Sequence, residues 1–179
     1  ICIRTYHNII FNDINMTVKT TFSKDDFSKI LSGYDLGKFK KSMPFKTGTV
    51  QTNLLLQTTK GKFVFRYYET RPKKYALFEV TILQYLNKRS YTCPAPIRNI
   101  HGEFVGEYKH KPFAFFEFMN GKHRKNVDFR LIAKAIGKLH KITIRYKPKY
   151  YEARDSYDPK SCLRNAITNS KKIKYGRQE

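Results

Sequence analysis

The stretch Phe63-Val64-Phe65-Arg66-Tyr67-Tyr68 decides the fold, because it sets one cation in the middle of a run that is otherwise aromatic and aliphatic. Such a run favours an extended strand. Asn53 to Thr58 is a second β-prone run, separated from the first by Thr59-Lys60-Gly61-Lys62, in which Gly61 can supply the positive φ of a tight turn. The two predict a hairpin. Downstream, Pro72 opens a helix to about Asn87, with Ala76, Val80, Leu83 and Leu86 at helical spacing. Glu79 has Tyr75, Ile82, Leu83 and Leu86 at i−4, i+3, i+4 and i+7, so it stands on an apolar face of that helix. A carboxylate there needs a partner, since an isolated buried charge is costly. Arg66 is the cation the pattern offers. A pair of this kind can hold a positive group over phosphates, or it can simply tie a strand to a helix.

Other elements follow on either side. Ser23 with Asp26 three positions on reads as a helix N-cap, and Phe27, Ile30 and Leu31 give one apolar stripe, so a helix near 24–32 ended by Gly33 is expected. A first strand falls at 38–45. Cys93-Pro94-Ala95-Pro96 forces an extended connection. Strands are expected near 103–106 and from Pro112 to Met119, the second almost wholly apolar and therefore central, with Gly121 marking its end. From Asp128 to Thr143, Ile132, Ala135, Ile136, Leu139 and Ile142 form the stripe of an amphipathic helix. Residues 159–173 are ambiguous between helix and coil. No internal repeat is present.

Composition bounds the function. With 179 residues and 40% hydrophobic content the chain can bury a core. No apolar run approaches the roughly 20 residues that span a bilayer, so no membrane partner is expected. Cys2, Cys93 and Cys162 are too scattered for a disulfide framework or a zinc site, which fits a cytoplasmic setting. The formal charge of +22 suggests a nucleic-acid partner, but A/T-rich coding would give the same wealth of Lys, Asn, Ile, Tyr and Phe, and so would a chain whose acidic half lies elsewhere. A nucleic-acid partner is therefore the second reading and not the first. The chain starts at Ile1, and Met16 directly precedes the first helix signal, so residues 1–15 are read as an upstream or non-native extension.

Several segments occur in the order found in one enzyme superfamily: Gly48-Thr49-Val50-Gln51-Thr52-Asn53, the hairpin ending at Arg66, the helix centred on Glu79, Cys93-Pro94-Ala95-Pro96 with His101-Gly102, the strand from Pro112 to Gly121, and Ile136-Gly137-Lys138-Leu139-His140. In this order the chain resembles the aminoglycoside phosphotransferase and choline kinase superfamily, most closely its homoserine-kinase-like branch, over about residues 17–143. The resemblance implies an α+β fold: a protein-kinase-like N-terminal lobe, a small antiparallel sheet with an inserted helix, over residues 16–121, then the start of a helical C-terminal lobe over residues 122–179.

It further implies that ATP is the cofactor, with Mg²⁺ in the complete enzyme, and that a hydroxyl on a small metabolite or an aminoglycoside is the acceptor. Gly48, Thr49 and Asn53 would belong to the loop over the phosphates, although Gly48 can equally just allow a turn. Arg66 would hold the α- and β-phosphates, and Glu79 would orient it. Glu117, Phe118 and Met119 would form the hinge that meets the adenine edge, in a strand whose aromatics serve the core first.

The superfamily places a His-x-Asp loop and an Asp-containing metal motif after the hinge, and this sequence contains neither. His101-Gly102-Glu103 precedes the hinge strand, and Asp128, Asp155 and Asp158 lack the required context. Phosphoryl transfer needs a divalent cation on the phosphates and a carboxylate at the acceptor hydroxyl. The expectation is a lobe that holds nucleotide and transfers nothing by itself. A basic module that binds nucleic acid and a truncated gene product without function are the rival readings.

Overall fold

The fold is seen in a computed structural model that describes residues 20–45, 50–121 and 128–150, together with residues 164 and 167. The ambiguous segment 159–173 and the residues 1–15 lie outside these, apart from the two isolated positions.

The first helix, α1 (Lys24–Leu31), starts as its capping pattern requires: Asp26 N donates to Ser23 Oγ at 3.1 Å and Ser23 N donates to Asp26 Oδ2 at 2.7 Å. It ends as expected, with Ser32 as the C-cap directly before Gly33; the left-handed glycine is Gly37 at φ 81, five residues after the cap, where the chain turns into the next strand. A Cβ on Gly37 would run into the Thr59 hydroxyl that accepts from Lys38 N.

That strand, β1 (Phe39–Pro44), pairs antiparallel with β2 (Thr52–Thr58), which pairs with β3 (Lys62–Tyr67) around Gly61 at φ 150. Then α2 (Lys73–Asn87) begins after Pro72, an extended N-cap, and buries Ala76, Val80 and Leu86. The remaining strands are β4 (Pro96–Ile97), β5 (Val105–Tyr108) and β6 (Lys111–Glu117). The sheet runs β1-β2-β3-β6-β4, with β5 sharing the outer edge of β6. As expected, β6 is the hub of the sheet, and Phe113, Ala114, Phe115 and Phe116 are all buried.

Two elements correct the sequence reading. The strand expected at 103–106 lies at Val105–Tyr108, because Asn99 Oδ1 takes the amides of His101 and Glu103 and holds that stretch in a turn with Gly102 at φ 82. The hairpin from β5 to β6 turns on Lys109 and His110, at φ 50 and 61, in place of the Asn-Gly pair that usually marks such a turn. The extended connection after Cys93 also contributes two residues, β4, to the sheet.

Strand alternation sorts side chains between two cores. Leu56, Phe65, Tyr67, Phe113 and Phe115 join Phe27, Ile30 and Leu31 of α1 on one face. Tyr68, Ala114, Phe116 and Val105 join Ala76 and Val80 of α2 on the other. The sheet is thus sandwiched, and Arg66, out of phase with Phe65 and Tyr67, belongs to the α2 face.

The last helix, α3 (Phe129–Thr143), is capped by Asp128, whose Oδ1 accepts from Arg130 N at 2.8 Å, so this acid has a structural task. It meets α2 and the turn after it through polar contacts: Tyr85 Oη donates to Ile142 O at 3.1 Å and Lys138 Nζ to Ser90 O at 3.0 Å, while the ring of Tyr146, just past α3, lies 4.6 Å from that of Tyr85. None of its residues is buried, and Ile132 and Ile136 of the expected stripe are uncovered by the described residues.

Candidate functional site

Arg66 lies in β3 opposite Asn53 of β2 on one side and Ala114 of β6 on the other. Its guanidinium is held at two points: Nε donates to Asn53 Oδ1 at 2.8 Å, and Nη1 donates to Glu79 Oε1 in a salt bridge. The group also sits 5.4 Å from the Phe116 ring centroid. The ion pair bridges strand and helix as the sequence pattern requires. It is only partly shielded, with about a third of the Arg66 side chain open to solvent.

Two N–H groups of a five-donor fork are therefore committed, and the rest of this planar, permanently charged group has no hydrogen-bond partner among the described residues. Fixed in attitude and still accessible, such a fork suits an oxyanion with several acceptor oxygens. Glu79 has a second partner: Tyr68 Oη donates to Oε2 at 2.9 Å. Tyr68 is fully buried, and that burial pushes its phenol pKa up despite the neighbouring Arg66 charge. It therefore stays a neutral donor. Sequence reasoning missed Tyr68, although its two-residue offset from Arg66 already placed it on the same strand face.

Asn53, expected in the loop over the phosphates, lies inside β2 and serves Arg66 with its side chain. Gly48 and Thr49 fall outside the described residues. Glu117 closes β6, and Phe118 and Met119 follow it, Phe118 half-buried and Met119 exposed. Glu117 N donates to Ala95 O at 2.9 Å, so that amide is already committed. From Ala114, the register partner of Arg66, to Glu117 is three residues, about 10 Å at the usual strand rise.

A second polar centre surrounds Glu69, just past β3. Its carboxylate accepts from Thr52 Oγ1 at 2.6 Å, Thr20 N at 2.8 Å, Thr20 Oγ1 at 2.9 Å and Lys111 Nζ at 2.9 Å. Burial raises its pKa, but the hydrogen bonds together outweigh burial and leave it below the ordinary value. Nothing local signalled it, since its partners lie 17, 42 and 49 residues away.

Among the described residues no group of three or more His, Cys, Asp or Glu side chains is placed to hold a metal ion. No helix among them is long and apolar enough to cross a membrane.

An antiparallel sheet with a helix bonded by ion pair to its third strand, followed by a further strand and a helical segment, is the arrangement that the resemblance implies for the N-terminal lobe of a protein-kinase-like phosphotransferase. Residues 42–172 match the model of the phosphotransferase enzyme family, and the chain belongs to that family. It is 35% identical over 129 residues to a homoserine kinase of Afipia carboxidovorans, covering 70% of this chain and 40% of that protein. A homoserine kinase of Agrobacterium fabrum is 30% identical over the same shares. The chain thus spans about two fifths of the length of these curated relatives. In fold it is similar to amicoumacin kinase hAmiN, solved in complex with AMP-PNP, Ca²⁺ and Ami, at a TM-score of 0.66 and 12% identity, covering 87% of this chain and 55% of that one. Spectinomycin phosphotransferase APH(9)-Ia, solved with ADP and spectinomycin, gives 0.57 at 12% identity, covering 88% and 60%.

Proposed function

We propose that this chain forms the nucleotide-holding lobe of an ATP-dependent phosphotransferase whose acceptor is a hydroxyl on a small molecule. The observation that carries the reading is the Arg66 guanidinium, fixed by Asn53 and Glu79 yet open on the α2 face. ATP would lie along β6, with its base at Glu117, Phe118 and Met119 and its phosphates at Arg66. Because Glu117 N is committed to Ala95, base recognition falls to the backbone beyond it. Gly48 and Thr49 would complete the phosphate loop. In this reading residues 16–121 are the nucleotide lobe and residues 122–179 begin the helical lobe.

Homoserine is the acceptor that the sequence relatives favour, and a cytoplasmic setting is part of the same proposal. Transfer also needs a divalent cation and a base, and the 179 residues hold no His-x-Asp pattern. No transfer step is assigned to these residues. The charge of +22 supports a second reading, non-specific nucleic-acid binding.

One titration separates them. A fluorescent ATP analogue should bind the chain, be displaced by unlabelled ATP and not by duplex DNA, and lose at least about tenfold in affinity with Arg66→Ala, the loss of a charge-assisted phosphate contact. Displacement by DNA with a steep salt dependence, or equal binding by Arg66→Ala, would refute the nucleotide reading.

A further inference from the structure

The Glu69 carboxylate is about 1% exposed, yet it collects donors from three separate stretches of chain. Glu69 also gives its own N–H to Gln51 Oε1 at 2.7 Å. Buried ionic centres are costly to build and are often no more stable than apolar packing of the same volume. What such a centre supplies is a defined register, because its donors fit in one arrangement only.

The register at stake here is that of the phosphate grip. Thr52, the first residue of β2, pairs with Tyr67, and the next pair is Asn53 with Arg66. A one-residue slip of β2 would turn Asn53 to the opposite face and remove the acceptor of Arg66 Nε. Thr52 and Tyr67 share the α1 face, and Lys111 Nζ lies 5.7 Å from the Tyr67 ring centroid. Glu69 therefore works from the side of the sheet opposite to Arg66 and acts only through other residues.

We propose that Glu69 is a positioning residue for phosphate recognition: by tying the start of β2 to the end of β3 and the start of β6, it holds Asn53 where Asn53 fixes the attitude of the Arg66 guanidinium. The inference rests on the nucleotide reading above for its ligand, but its effect on Arg66 exists without ligand. A merely structural Glu69 would weaken every ligand alike, whereas a positioning Glu69 weakens ligands in proportion to their phosphates.

The test is calorimetric titration of the full chain with ATP and with adenosine, for the wild type, Glu69→Gln and Thr52→Val. Loss of the Arg66 anchorage should raise the ATP Kd about tenfold in Glu69→Gln while the adenosine Kd stays within about twofold, with a smaller ATP-selective loss in Thr52→Val. Equal weakening of both ligands, or no change in a folded Glu69→Gln protein, overturns the proposal. Should Glu69→Gln fail to fold, Thr52→Val decides by the same criterion. A ligand-free arm measures solvent exchange of the Arg66 Nε proton by NMR, expected several-fold faster in either variant. Unchanged exchange overturns the proposal. If the wild type binds neither ligand, the nucleotide reading falls, and the exchange arm alone judges Glu69.

Discussion

Tyr68 and Glu69 follow Arg66 two and three residues on, and together these side chains show what one strand and its immediate continuation can organise. Arg66 meets Glu79, Tyr68 steadies the far oxygen of Glu79, and Glu69 anchors the neighbouring strand from the other face. Tyr68→Phe removes only the hydroxyl. A hydrogen bond to a charged acceptor is worth about 1.5–3 kcal/mol, so this variant should melt several degrees lower and bind ATP more weakly while adenosine binding is spared. Melting and titration of the same preparation check both; unchanged ATP affinity would mean that Glu79 orients Arg66 without help. The Arg66–Glu79 pair was legible in the sequence because a carboxylate on an apolar helix face and a cation inside an apolar strand each lack a local partner. Glu69 was not, because its burial depends on Thr20, Thr52 and Lys111, which only the folded sheet brings together.

At the scale of elements, α1 is fastened at both ends of its first turn. Asp26 closes the capping box with Ser23 and also accepts from Tyr108 Oη at 2.6 Å and Lys109 Nζ at 3.0 Å, which ties α1 to the hairpin between β5 and β6. The Tyr108 bond, followed by the Ser23 amide and Lys109, holds the Asp26 carboxyl well below the ordinary range. Glu69 is lowered as well. With native values depressed, the unfolded chain takes up protons first, so both contributions are complete only above about pH 5 and are lost progressively as the pH falls below it. Urea unfolding should show stability declining across that window, and Asp26→Asn should start lower and decline less. A slope unaltered by the substitution would contradict the assignment. The helices and the hairpin were legible to within a residue or two, since capping, Gly61 and the apolar stripes are local signals. The shift of β5 was not, because its boundary is set by Asn99 side-chain bonds and by a turn on Lys109 and His110, residues that rarely adopt positive φ.

For the molecule as a whole, the arrangement separates two faces of one sheet. The α2 face carries Arg66 and leads along β6 to Glu117, while the α1 face is filled by aromatic packing, and a cavity of about 540 Å³ lies beside it, lined in part by Lys24, Ser28, Tyr34, Lys38 and Phe39. The order of elements foretold a small sheet with a helix inserted after its third strand. That α1 covers the opposite face was not foretold, because the apolar stripes of α1 and α2 say that each is buried and not against which side. Nucleotide should bind on the α2 face, beside Arg66. In heteronuclear NMR of the full chain titrated with ATP, the Arg66 guanidinium signal and the amides of Phe118 and Met119 should shift together while those of α1 stay in place. Shifts confined to α1 and the cavity beside β1, or none at saturating ATP, would contradict that placement.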